Sequence, residues 1–158
     1  MKGIDRREWN MTGEDFKLLE ERLDVTLPEY YKSTMLKYQF NDLTGDSVLF
    51  DHYGDIICQH EYYCVDFIKS VKDNRKPLII GNNWVSTFYF IDNKKKDSKV
   101  YIANYDPPWD IQIYSESWGE FLEFVKERDI MNEAIINEPI IDESSPKSEK
   151  KHFWQFWK

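Results

Sequence analysis

Between Ser47 and Tyr114 the chain is a succession of short runs rich in β-branched and aromatic residues, and no regular alternation of strand and helix patterns interrupts them. The runs are Ser47–Asp51, Asp55–Gln59, Pro77–Ile80, Val85–Ile91, Lys99–Asn104 and Ile111–Tyr114, each reading as a strand. The first two flank His52-Tyr53-Gly54, a spacing that suits a hairpin with Gly54 at a positive-φ position. Asp92-Asn93-Lys94-Lys95-Lys96-Asp97 is a polar hairpin tip, and Asp106-Pro107-Pro108-Trp109 a second connection. One stretch inside this region, His60–Val71, reads as a short helix because Tyr63, Phe67 and Val71 are four apart. Strands gathered in the middle without βα alternation exclude a doubly wound sheet. They predict an α+β fold around a central, mostly antiparallel sheet of about six strands.

Helical patterns flank the strand region. Thr12 and Asp15 have capping-box spacing, and Phe16, Leu19 and Leu23 follow on one face. Leu27-Pro28 restarts the pattern, with Pro in the first turn, where its missing N–H costs nothing. Tyr31, Met35 and Tyr38 then share a stripe. Beyond the strands, Ser117 and Glu120 repeat the capping-box spacing ahead of Trp118, Phe121, Leu122 and Val125, in a closing helix that runs toward Asn137 before Pro139 stops it. The expected organisation is one domain over residues 1–137. Residues 138–158 read as a flexible charged tail ending in Phe153-Trp154-Gln155-Phe156-Trp157. An aromatic cluster of that kind either folds back on the domain or grips something else.

The chain has 158 residues, 41% of them hydrophobic and 16% aromatic, enough for one real core and too few for two full-sized domains. Its net charge is −8, which argues against a general nucleic-acid binder and suits a basic partner. The charge is unevenly placed. Residues 101–145 hold eleven acids against two bases and residues 41–70 six against one, whereas residues 71–100 hold seven bases against three acids and residues 146–158 four against one. Such blocks solubilise exposed faces; an acidic surface also captures a basic protein by electrostatic steering. Two cysteines cannot staple a disulfide scaffold, and the charged start MKGIDRREWN lacks the apolar run of a signal peptide. The aliphatic stretches, such as Leu78-Ile79-Ile80, are far short of a bilayer span. The expectation is a cytoplasmic protein that engages neither membrane nor nucleic acid.

Residue patterns that carry catalytic chemistry are scarce in the chain. There is no phosphate-cradling glycine cluster, HExxH or GxSxG. His52, Cys58, His60 and Cys64 are zinc-ligating residue types, but the two cysteines are six apart, wider than a zinc knuckle uses; Cys58 and His60 would share one strand face. Asp51, Asp55, Glu61 and Asp66 could be imagined as a metal-dependent hydrolase site, yet nothing nearby supplies a base or an oxyanion donor. The reading is of no enzyme, no cofactor and no metal. The Asp106-Pro107-Pro108-Trp109-Asp110 loop is better suited to recognition, because two prolines pre-order it and Trp is a favoured interface anchor. Trp109 folded inward over the sheet is the equal alternative.

A set of short motifs in fixed order carries a resemblance. An acidic amphipathic helix precedes Leu27-Pro28-Glu29-Tyr30-Tyr31; then come Leu78-Ile79-Ile80-Gly81, Phe90-Ile91-Asp92, Val100-Tyr101 and Ser117-Trp118-Gly119-Glu120-Phe121-Leu122. Over about residues 14–126 the chain resembles the SUKH superfamily, which includes fungal cell-wall-assembly regulators and many bacterial immunity proteins. It departs from the usual pattern at Asn41-Asp42, where Asn-Gly is common, and at Val85-Ser86-Thr87, where Gly-Asp is common. The resemblance implies a non-enzymatic binding domain that neutralises a cognate polymorphic toxin, often a nuclease and therefore basic. A regulatory or scaffold domain of the same superfamily is the alternative it allows. The acidic blocks are then the expected interface, with Asp51, Asp55, Asp106, Asp110 and Glu116 as charge contacts and Trp109 as anchor.

Overall fold

In the computed structural model, which describes residues 11–37 and 48–136 (side chains as far as Arg128), Thr12 opens the first helix as the sequence predicts. Its hydroxyl accepts from the Asp15 N–H, and the Asp15 carboxylate accepts from the Thr12 N–H at 2.9 Å, closing the capping box of α1 (Gly13–Leu23). Asp24 ends α1 in the left-handed region, at φ 52°. Glu20 then accepts the Leu27 N–H at 3.0 Å and holds Lys32 at 3.2 Å, which fixes the link to α2 (Glu29–Lys37). Phe16, Leu19, Tyr31 and Met35 are buried, as their spacing requires, and Tyr38 lies outside the described residues.

Among the described residues the sheet has four strands, all antiparallel and in chain order: β1 (Pro77–Asn82), β2 (Thr87–Asp92), β3 (Val100–Asn104) and β4 (Gln112–Ser115). The expectation of about six strands is corrected at the first two runs. Leu49 makes only an isolated bridge to Gly81, through Phe50 N–H to Ile80 C=O and Asn82 N–H to Val48 C=O. Asp55–Gln59 is helical: α3 spans Tyr53–Cys58 and runs straight into a π-helical stretch, Gln59–Tyr63. The expected hairpin at His52-Tyr53-Gly54 is a helix start, because His52 Nδ1 accepts the Gly54 N–H at 3.0 Å as an N-cap. A five-residue apolar run has no period long enough to separate strand from helix, and the cap decides. The helix expected over His60–Val71 exists as the π-helical stretch followed by α4 (Val65–Val71), with Phe67 buried. The break at Cys64 puts Tyr63 off the Phe67 stripe and leaves it 58% exposed.

Side chains alternate across β2, so one face carries Phe88 and Phe90 and the other Tyr89. Phe67 of α4 meets Phe88 and Phe90 at 4.9 and 5.3 Å between centroids, so α4 covers the first face. Phe121 of the closing helix α5 (Trp118–Ile136) meets Tyr89 at 5.3 Å on the second. Trp118 locks α2 to α5: its ring lies against Tyr30 and Tyr31, and its indole N–H donates to Thr34 at 2.9 Å. Gly81 is obligatory, since a Cβ there would sit 2.0 Å from the Val48 carbonyl oxygen. Asp92, 1% exposed, accepts the Lys76 and Lys94 N–H groups at 3.0 Å each and closes the β2–β3 turn. Residues 138–158, including the aromatic cluster, lie outside the described residues.

Candidate protein-binding face

The antiparallel order gives the sheet two ends about 17 Å apart along six-residue β2, at about 3.3 Å per residue. One end joins Pro77, Asp92, Val100 and Ser115. Around it stand Arg75, Lys76, Lys94, Lys95, Lys96 and Lys99, with Arg75 and Lys95 over the Tyr101 ring at 4.8 and 5.7 Å. The opposite end joins Asn82, Thr87, Asn104 and Gln112. Here the connections carry Trp84 and Val85, then Asp106 and Asp110.

Two asparagines build that end. Asn83 Oδ1 accepts three backbone N–H groups, from Val85, Ser86 and Thr87, at 2.9–3.0 Å. Asn82 Oδ1 accepts the Trp84 N–H at 3.2 Å, and its amide donates to the Tyr105 hydroxyl at 3.0 Å. Trp84 is thereby held at φ 62°, unusual for a bulky residue, with half its surface exposed. The turn takes Val85 and Ser86 out of the expected Val85–Ile91 strand, so β2 starts at Thr87. Tyr105 donates in turn to Gln59 Oε1 at 2.7 Å, and the Cys64 thiol donates to the same oxygen at 3.5 Å. Burial pushes the Tyr105 phenol up to about 12 and the Cys64 thiol to about 12. This linked polar floor lies under an open cleft of about 420 Å³, lined by Gln59, Tyr63, Asn82, Trp84, Tyr105 and Asp106. Ser86 C=O accepts the Tyr105 N–H at 2.9 Å, so the two loops are one surface. It continues into a second hollow of about 440 Å³ with Pro107, Pro108 and Asp110.

The sequence-predicted contacts divide among three places. Asp106 and Asp110 are exposed at the aromatic end. Trp109 turns partly inward: its ring meets Phe67 at 5.9 Å and its carbonyl accepts the Asn104 N–H at 2.8 Å. Asp51 and Asp55 adjoin at the start of α3, where burial first and the Asp51 charge second raise the Asp55 carboxyl above its ordinary value. Asp51 follows Phe50, whose ring meets Trp84 at 6.3 Å. Glu116 is separated from them, at the lysine end, 3.6 Å from Lys99. The sequence reading missed Trp84, Tyr63, Gln59, Asn82 and Asn83; the Asn-Asn pair before an aromatic was the available turn signal.

The four zinc-type side chains do not converge. His60 is on the π-helical stretch, not on a strand face with Cys58, and its Nε2 accepts the Ile79 N–H at 3.0 Å. Glu61, from the imagined carboxylate group, pairs bidentately with Arg22 of α1 at 2.8 and 2.9 Å. Among the described residues no three His, Cys, Asp or Glu side chains gather as a metal-ligating group. Among them, too, no helix is long and apolar enough to cross a membrane.

Comparison with known proteins bears on this architecture directly. No curated protein matches the chain. The model of the SMI1 / KNR4 family (SUKH-1) matches residues 10–123, which run from the α1 cap to the first turns of α5 and include every residue of the cleft. With most of its length matched, the chain belongs to the SMI1 / KNR4 family (SUKH-1).

Proposed function

We propose that this chain is a non-enzymatic immunity protein that binds a basic toxin domain and neutralises it by covering its active surface. The observation that carries the reading is the pairing of exposed aromatic and acidic side chains at one end of the sheet, Trp84 and Tyr63 with Asp106 and Asp110, while the lysines gather at the other. Aromatics on a rigid turn supply anchor area at small entropic cost, and the carboxylates steer and orient a cationic partner. A toxin that acts on nucleic acid must carry a cationic surface for phosphate, so the same surface is open to an acidic inhibitor. Family membership supports a protein-binding role.

The test is capture of partners from the source cells with the full chain, followed by expression of the captured domain alone and together with this protein. A basic domain that arrests growth alone and is harmless in the pair is the expected result. Capture of a cell-wall or signalling protein with no toxicity to relieve would replace this reading with that of a regulatory scaffold.

A further inference from the structure

At the lysine end of the sheet a hollow of about 700 Å³ opens between the first turn of α2 and the β2–β3 turn. Tyr30, Asn93, Lys95 and Lys96 line it, with Pro28 and Ile91 as its apolar wall. It lies at the far end of the strands from Trp84 and Asp106, so it is a separate site from the proposed protein-binding face. Buried polar atoms almost always have a hydrogen-bond partner. The Tyr30 hydroxyl and the Asn93 side-chain nitrogen are buried with none among the described residues. We propose that the hollow binds a carboxylate carried on a small apolar body, whose oxygens accept from the Tyr30 hydroxyl and the Asn93 amide beside the ammonium groups of Lys95 and Lys96.

The balance of donors and acceptors around the hollow sets the sign of the ligand. Three carboxylates also border it, and each is already engaged. Glu29 pairs with Lys32 at 3.6 Å, Glu116 pairs with Lys99 at 3.6 Å, and Asp97 Oδ1 accepts the Lys99 N–H at 3.1 Å. The donors are not. Among the described residues neither Lys95 nor Lys96 is paired with a carboxylate; the Lys95 ammonium lies 5.7 Å from the centre of the Tyr101 ring. What the hollow lacks is therefore an acceptor. The three carboxylates repel a phosphate dianion more strongly than a monoanion, which favours a carboxylate ligand. Burial first and the Asp97 charge second raise the Tyr30 phenol to about 12, so at neutral pH the hydroxyl keeps its proton and can donate. Both walls are fixed. The Tyr30 ring packs on Trp118 at 5.3 Å, the Thr34 hydroxyl donates to the Tyr30 C=O at 2.8 Å, and the Asn93 N–H donates to the Lys76 C=O at 2.8 Å. The two donor atoms are covered, so a ligand oxygen reaches them as the exposed lysines of the turn give way, and it then supplies the partner that each lacks.

The test titrates sodium benzoate into the full chain, labelled with nitrogen-15, at fixed pH and ionic strength, with benzamide and inorganic phosphate as controls. The expected result is saturable displacement of the Tyr30, Asn93, Lys95 and Lys96 amides by millimolar benzoate, with benzamide and phosphate binding about tenfold more weakly. Y30F and N93A, which remove one donor each from opposite walls, should each weaken benzoate about fivefold, while unmoved Phe88 and Phe121 amides establish that the variants are folded. Absence of saturation would overturn the proposal, as would an equal response to benzamide. So would displacement confined to Lys94–Lys96 and shared by phosphate, which is an adventitious ion only, or full affinity in both Y30F and N93A, which leaves the two buried atoms to a water. N-acetylphenylalanine then separates the sources of the carboxylate. Tighter binding than benzoate assigns the site to the end of a peptide, and weaker binding assigns it to a free organic acid.

Discussion

His60 shows how much one side chain can decide. Its imidazole closes a gap at β1 by accepting the Ile79 N–H, and burial lowers its pKa from 6.5 to about 4. Below pH 6.5 the unfolded chain takes up a proton at this residue, while the folded imidazole stays neutral until about pH 4. Stability therefore falls as pH drops through that window, by up to about 3 kcal/mol. Denaturant midpoints measured from pH 7 to pH 4 should show this decline, and H60Q, which keeps an acceptor but cannot titrate, should flatten it. A wild-type curve already flat between pH 6.5 and pH 4 would contradict the assignment. Asp92 is a second such residue. Asp92→Ala leaves the Lys76 and Lys94 N–H groups without their acceptor and removes the partner of Arg75, so a loss of about 2–4 kcal/mol is expected by denaturant unfolding. Neither role could be read from sequence, because each depends on a partner brought from 16 or 19 positions away.

At the scale of elements, caps and long periodic stripes were legible, and short apolar runs were not. Thr12 with Asp15 and Ser117 with Glu120 placed two helix starts, because a cap is a local chemical requirement. The strands from Pro77 onward were found with ends shifted by a residue or two, as at Gln112–Ser115 in place of Ile111–Tyr114. Asp55–Gln59 failed as a strand because Ile56-Ile57 fits either period, and its own cap is a histidine, an uncommon choice. Gly81 belongs to this scale too, since it allows segment 48–50 to lie against β1. G81A forces the two backbones apart, and a destabilisation of about 3 kcal/mol, with loss of the slow amide exchange of Phe50 and Asn82, is the expected outcome. An unaltered denaturant midpoint would show that the 48–50 segment can retreat freely.

For the whole molecule the informative property is the direction in which charge is distributed. Segment counts located acid and base along the chain, and the antiparallel topology then sets the lysines, together with Asp97 and Glu116, at one end of the strands and Asp106 with Asp110 at the other. The same topology sends Glu116 to the lysine end, although it stands only six positions after Asp110 in the chain. The aromatic component was illegible because exposure of Trp84 is created by the Asn82-Asn83 turn, whereas Trp109, the more conspicuous candidate, spends part of its ring on Phe67. Trp84→Ala should therefore weaken partner binding by about 2 kcal/mol, roughly thirtyfold, and more than Trp109→Ala does at equal fold stability, as read by titration calorimetry.

Paired charge reversal separates binding of a cationic partner at the aromatic–acidic end from binding at the lysine end. The full chain, the D106K/D110K variant and a K94E/K96E variant are used in parallel to capture partners from the source cells. The same basic domain should be retained by the unaltered chain and by K94E/K96E, and lost from D106K/D110K, where like charges face each other across the interface. Retention by D106K/D110K with loss from K94E/K96E would place the binding face at the opposite end of the sheet and contradict that expectation.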